Sequence, residues 1–269
     1  MEKLDFLIEY LLEENNEINI KNIPTYTEEK RKLYRSLCNI RQAKSILDEY
    51  IKVENEYLQE ELKNKNITNI NDIETIDKQF KESNLKMKDK ICLWQGDITI
   101  LKIEAIVNAA NSQGLGCFIP CHKCIDNQIN TFAGVNLRLE CNSIMKNKNY
   151  NLETGKAIIT NAYNLPSEKV IHTVGPIIYE NVTEQKEQEL KECYINSLKL
   201  AIENNIKTIA FPCISTGEFR FPKKKACQIA ITSVNEFLEE NADKFDKVVF
   251  NVFSREDFEI YEQFIRENK

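Results

Sequence analysis

The chain has 269 residues, 36 Lys and Arg against 42 Asp and Glu for a net charge of -6, and nine cysteines. That length buries a sizeable core without staples, and the acidic balance argues against general attraction to nucleic acid, since no basic field is present to displace counterions from a phosphate backbone. No apolar run is long enough to span a bilayer, and an odd, uneven cysteine set with no charged-then-apolar leader before Leu4 argues for a reducing, cytoplasmic compartment rather than a secreted disulfide framework.

In chain order, Leu4, Leu7, Ile8, Leu11 and Leu12 follow the i, i+3, i+4 rule of an amphipathic helix. Beyond Pro24, the residues Leu33, Leu37, Ile40, Ala43, Ile46 and Leu47 predict a second helix, and a charged third one is expected over about Val53 to Lys65. Asn66 to Asp77 reads as a loop or weakly ordered connector. We therefore expect residues 1–90 to form a helical extension and residues 91–269 the main domain.

From Ile91 the pattern changes to short apolar runs alternating with helical stretches. Strands are predicted at Ile91–Trp94, Ala105–Val107, Ala157–Ile159, Val170–His172, Thr208–Phe211 and Val248–Phe253. Helices are predicted between them, at about Ile125–Met145, Glu184–Asn204, Pro222–Glu239 and Glu256–Glu267. This alternation implies a three-layer α/β sandwich.

All seven glycines lie between Gly96 and Gly217. Glycine is needed where the backbone takes positive φ or where a ligand approaches the main chain, so the clustering marks a binding face. Gly155 and Gly175 read as ordinary turns between elements. An acidic chain can still hold a phosphate locally, through backbone N–H groups at loops and helix starts.

The densest chemistry lies in Gly116-Cys117-Phe118-Ile119-Pro120-Cys121-His122-Lys123-Cys124-Ile125-Asp126-Asn127, where three thiols and one of only two imidazoles fall within eight positions. Soft and borderline donors at this density read as a site for zinc. Three protein donors would leave a catalytic open position, whereas four, with Cys121 included, would close the site and make it structural. Cys121 and Cys124 also form a C-x-x-C pair that suits a redox couple. Adjacent Cys121 and His122 tend to point apart, so one of them is expected to face away from the metal.

Four blocks carry a family resemblance: Gln95-Gly96-Asp97-Ile98-Thr99, Ala105 through Ser112, Val170 through Pro176, and Pro212 through Phe219. Together they resemble the macrodomains, the ADP-ribose-binding family, and the block from Gly116 to Asn127 resembles that family's zinc-containing class, the protein ADP-ribosyl hydrolases, which carries a helical N-terminal extension like this one. The fold implied is an α/β/α sandwich with a mixed central sheet.

The resemblance implies zinc held by Cys117, His122 and Cys124, with Cys121 turned away. It places Asp126 near the distal ribose, where a carboxylate can orient a water or accept its proton; as a plain structural residue, Asp126 would cap the helix that begins near Ile125. Asn108 and Asn111 match the loop that contacts the distal ribose, and Asn111 joins Asp126 as a candidate catalytic residue. Asp97 matches the acceptor for the adenine amino group, with Ile98 offering apolar contact and a main-chain amide. Ser215, Thr216, Gly217, Glu218 and Phe219 match a phosphate-binding loop, and Gly114, Leu115 and Gly116 its facing wall. Phe253 is a candidate for stacking on adenine.

One departure stands out: Asn130 occupies a position where the family usually has histidine, so it keeps a hydrogen bond and loses a titrating group. Asn127 reads as a support or cap, His172 as a core residue, and Cys92, Cys141, Cys193, Cys213 and Cys227 as small buried hydrophobes. The function implied is a zinc-dependent hydrolase that removes ADP-ribose from protein side chains, with a non-catalytic ADP-ribose reader as the alternative. The expected partners are ADP-ribose and ADP-ribosylated proteins, with neither nucleic acid nor a membrane.

Overall fold

A computed structural model describes residues 2–15, 18 and 22–267. Three helices come first, α1 (Lys3–Glu14), α2 (Thr27–Ile40) and α3 (Asp48–Lys63). A short strand β1 (Thr68–Asn69) and the one-turn helix α4 (Ile76–Gln79) lead into β2 (Ile91–Gln95), β3 (Leu101–Lys102) and β4 (Ala105–Ala109). There follow α5 (Ile125–Ala133), α6 (Val135–Lys146), β5 (Ala157–Asn161), β6 (Lys169–Thr173), α7 (Glu184–Glu203), β7 (Thr208–Phe211), α8 (Lys223–Glu240), β8 (Lys247–Val252) and α9 (Arg255–Glu267).

Six strands form one sheet in the order β2-β8-β7-β4-β6-β5. All neighbours are parallel except the edge strand β5, which runs antiparallel to β6. The strands read as continuous apolar runs because both faces are covered. Side chains alternate between the faces, so Ile91, Leu93, Val248 and Phe250 join one core with residues of α7, α8 and α9. Cys92, Val249, Ala210 and Ile106 join the other, with Ile129 of α5 and Leu137 of α6. The mixed three-layer sandwich expected from the sequence is what forms.

The extension packs outside α5 and α6. Leu4, Leu7, Ile8 and Leu11 of α1 meet Tyr34 and Leu37 of α2, Tyr50 and Leu58 of α3, and Val135 of α6 in one buried cluster. Each fully buried Leu or Ile stabilises such packing by about 2 kcal/mol.

The structure corrects three sequence expectations. The helix expected over Ile125–Met145 is two helices, broken at Gly134, whose φ is 90°. Glu54 reaches in from α3 to accept from Val135 N at 2.9 Å, and a Cβ at Gly134 would sit 2.8 Å from that carboxylate. The helix expected to continue to Leu47 ends at Ile40, because two buried guanidinium groups take its final carbonyls and those of the turn that follows. Arg138 donates to the carbonyls of Cys38, Asn39 and Arg41, while Arg41 grips Glu14 and the carbonyls of Lys44 and Ser45. The stretch Asn66–Asp77 is no loose connector: Thr68 and Asn69 pair with Leu101 and Lys102, and Ile70, Ile73 and Ile76 are buried. Isoleucine at every third position drives that segment into the core.

Candidate active site

In parallel sheets, ligands bind in the crevice beyond the carboxyl ends of the strands. Here the segments leaving β2, β4, β6, β7 and β8 surround a cleft of about 560 Å³, within the range of small-molecule sites. Gly96, Asp97 and Ile98 form one end, with the loop Pro212–Phe219, Asn251 and Phe253. Cys117, His122, Cys124 and Asp126 form the other, with Asn111.

Asp97 accepts from Thr99 N at 2.9 Å and Thr99 Oγ1 at 2.7 Å through one oxygen, which fixes its carboxylate at the cleft mouth and leaves the second oxygen for an incoming donor. Asn251 Nδ2 donates to Gly96 O at 2.9 Å, holding β8 against this turn. Phe253 is 79% exposed beside them and lines the cleft with its aromatic face.

The loop after β7 carries an unusual backbone. Ser215 has φ 65°, a left-handed conformation costly to a residue with a Cβ. Its hydroxyl is buried and meets no partner among the described residues. Such a turn aims successive N–H groups into a concavity suited to an anion. Gly175, read from the sequence as an ordinary turn, lies against this loop and lines the cleft. A Cβ there would come within 2.0 Å of Ser215 Oγ, so the close approach requires glycine.

Asp126 is buried at 4% exposure on the first turn of α5. Its Oδ1 accepts from Asn108 Nδ2 at 2.8 Å and Asn130 Nδ2 at 3.1 Å, and Asn111 Nδ2 lies 3.4 Å from Oδ2. Burial pushes its pKa up to about 6, against the hydrogen bond from Asn108 and the charge of Arg138. It does not cap α5. That position belongs to Cys124, whose Sγ accepts from Asn127 N at 3.4 Å.

Asn108 does not line the cleft. Its amide group lies 3.1 Å from His172 Nδ1 on the neighbouring strand, and His172 Nε2 lies 2.9 Å from Thr160 Oγ1. With Asn108 donating to Nδ1, the imidazole carries its proton on Nε2 and gives it to Thr160. Thr160, His172 and Asn108 thus form a buried chain that ends on Asp126. Gly114, Leu115 and Gly116 lead into the Cys117 edge of the cleft, and two of their carbonyls turn inward. Leu115 O accepts from Arg138 Nε at 2.8 Å and Gly116 O from Asn111 Nδ2 at 3.1 Å.

Burial holds His172 neutral, with its pKa pushed down to about 4. The unfolded chain therefore binds a proton below pH 6.5 that the folded chain refuses down to pH 4, so stability is lost as pH falls through that window. We expect urea unfolding to show about 2 kcal/mol less stability at pH 4.5 than at pH 7 from this group alone. His172→Gln should reduce that slope; an unchanged slope would remove His172 as its source.

Cys117, His122 and Cys124 place their donor atoms within 4.8 Å of one another, with Cys117 Sγ 3.6 Å from His122 Nδ1. Tetrahedral zinc bonds of ~2.3 Å to sulfur and ~2.1 Å to nitrogen put such ligand atoms about 3.5 Å apart, so the donor set and spacing fit that ion. Burial, together with the neighbouring Cys117, pushes the Cys124 thiol up to about 12, a cost that a divalent cation between the two sulfurs would remove. Glu218 Oε1 lies 3.5 Å from His122 Nε2, linking the loop after β7 to the imidazole. Cys121 faces away, with Sγ 3.1 Å from Ser36 Oγ.

The geometry is that of a three-layer α/β sandwich with a thiol–imidazole cluster lining the cleft beyond its strands. A family model for the Macro domain matches residues 107–230. The chain is 44% identical to a protein-ADP-ribose hydrolase of Treponema medium over 97% of both chains. It is 42% identical to the protein-ADP-ribose hydrolase of Staphylococcus aureus strain MSSA476, over 97% of this chain and 94% of that one. A Trypanosoma brucei macrodomain solved with ADP-ribose superposes with a TM-score of 0.65 at 27% identity, covering 85% of this chain and 94% of that one. The chain belongs to the macrodomain family.

Sequence reasoning missed several residues that line the cleft, among them Gln128, Gly175, Asn251 and Asp257. Asn251 had a signal, since a lone amide inside the apolar run Val248–Phe253 needs a buried partner.

Proposed function

We propose that the chain hydrolyses the bond between the anomeric C1″ of ADP-ribose and a protein side chain, with a zinc ion held by Cys117, His122 and Cys124. The observation that carries this reading is one cleft with two unlike ends: anion-ready main chain at one, a buried carboxylate beside an open three-donor cluster at the other. Similarity to protein-ADP-ribose hydrolases over nearly the whole chain supports it.

Asp97 accepts the adenine amino group, Ile98 packs on the base, and Phe253 offers a stacking face. The amides of Ser215 to Phe219 and the unpartnered Ser215 hydroxyl hold the diphosphate. That lays the distal ribose toward Asn111 and Asp126. Asn111 orients the sugar, and Asp126, fixed by Asn108 and Asn130, takes the proton of the attacking water. Zinc, when bound by these three residues, would supply Lewis acidity. The nine unpaired cysteines fit a reducing cytoplasm, and among the described residues no helix is long and apolar enough to cross a membrane.

The test is release of free ADP-ribose from a modified protein; tight binding without release would make the chain a reader. Gly175→Ala probes the diphosphate end separately. The added methyl collides with Ser215 Oγ and Ile214, so calorimetry should show ADP-ribose affinity falling about tenfold or more, ~1.4 kcal/mol, with zinc content unchanged. Affinity equal to the wild type would move the diphosphate elsewhere.

A further inference from the structure

The segment from Gly116 to Cys124 contains no helix or strand, yet it has to present three donor atoms within 4.8 Å. An irregular loop fixed in one conformation costs about 1–2 kcal/mol per residue in backbone entropy. Something outside the loop has to offset that: Asn111, Asn127 and Arg138 contribute contacts from the main domain, and a further set comes from α2 of the N-terminal extension.

Arg35 Nη2 donates to His122 O at 2.6 Å and to Asn127 Oδ1 at 2.7 Å, and Arg35 Nε donates to the same Oδ1 at 3.2 Å. Asn127 Nδ2 in turn donates to Ile119 O at 2.9 Å. One turn further along α2, Asn39 Oδ1 accepts from Cys121 N at 2.9 Å, at a residue held at φ 53°, and Asn39 Nδ2 donates to Thr131 Oγ1 of α5 at 3.0 Å. Residues spaced i, i+4 lie on one helix face. That single face therefore grips the backbone on both sides of the imidazole and the helix whose first residue follows Cys124.

We propose that Arg35 and Asn39 are positioning residues for the metal-holding loop, which makes helix α2 a working part of the active site. Neither residue lines the cleft, so their effect is exerted through His122, Cys121 and Asn127. The inference rests on the zinc reading above. It predicts that zinc affinity and ADP-ribose affinity separate: the adenine and diphosphate contacts follow β2, β7 and β8, whereas α2 packs mainly on α1 and α5.

The test uses the full chain. Zinc affinity is measured by competition with a chromophoric chelator, ADP-ribose affinity by calorimetry, and folding by melting of the metal-free protein. Arg35→Ala and Asn39→Ala should each bind zinc 10- to 100-fold more weakly, as loss of groups that orient metal ligands does. Both should keep ADP-ribose affinity within about threefold and a cooperative melt. Arg35→Lys keeps the charge but one donor at most reaches each acceptor, so it should weaken zinc at least about threefold, and it decides the matter if an alanine variant does not fold. Wild-type zinc affinity in any folded variant overturns the proposal. A wild-type chain that retains no zinc overturns the zinc reading, and the positioning role with it.

Discussion

Replacing Cys117, His122 or Cys124 by alanine is expected to slow release of ADP-ribose from a modified protein by about a thousandfold or more, with zinc lost from the purified chain. The size follows from the several kcal/mol that a Lewis acid contributes where charge develops, at ~1.4 kcal/mol per factor of ten. Two donors are not enough to retain the ion. ADP-ribose affinity should change far less, since Asp97 and the loop Pro212–Phe219 leave other strands of the sheet. Metal analysis, single-turnover kinetics and calorimetry on the same preparation check all three parts. Cys121→Ser is the control. Its Sγ meets Ser36 rather than the cluster, so zinc and turnover should both survive; loss of zinc in Cys121→Ser would make the site a closed, four-donor one.

Asp126→Asn should slow turnover about 100- to 10,000-fold, the range for removing a general base, while zinc content and ADP-ribose affinity hold. The amide matches the carboxylate in shape but cannot take a proton. It also turns one oxygen that accepts from Asn108, Asn130 or Asn111 into a donor, so part of the loss reflects a rotated side chain. Asp126→Ala is the poorer probe, because it leaves one N–H of the buried Asn108 amide without its acceptor, a penalty of about 1–3 kcal/mol that confuses folding with chemistry. Turnover of Asp126→Asn within a factor of three of the wild type would take Asp126 out of the reaction.

The layers of the fold were legible because both sheet faces are covered, which turns each strand into an apolar run, and the long helices α7 and α8 follow the helical period without interruption. The break at Gly134 was not, since a glycine inside an otherwise periodic run carries no sign that Glu54, eighty positions earlier, would cap the next helix. The same holds for the end of α2, decided by Arg41 and Arg138. Local pattern cannot report a partner that only tertiary structure brings near.

In the site, residue type and spacing drew attention to Cys117, His122, Cys124 and Asp126, and the structure brings all four to one cleft. Asn108 shows where that reasoning stops. An asparagine in a turn-rich block looks like a ligand contact, yet it lies on β4 opposite His172, so its side chain faces a strand partner rather than the solvent. At Gly116 a φ of 84° also serves close packing on Asn130, a second demand for glycine that spacing alone does not reveal. Arg35 was invisible for the opposite reason. An arginine on a helix that also carries Lys30, Arg31 and Lys32 gives no hint of the loop it holds.

The most direct measurement is turnover of a defined ADP-ribosylated protein by the full chain as purified, after exhaustive chelation, and after zinc is returned. Free ADP-ribose should appear, cease with removal of the metal, and resume on its return. Undiminished release by a chain proven free of metal would contradict a zinc-dependent hydrolase.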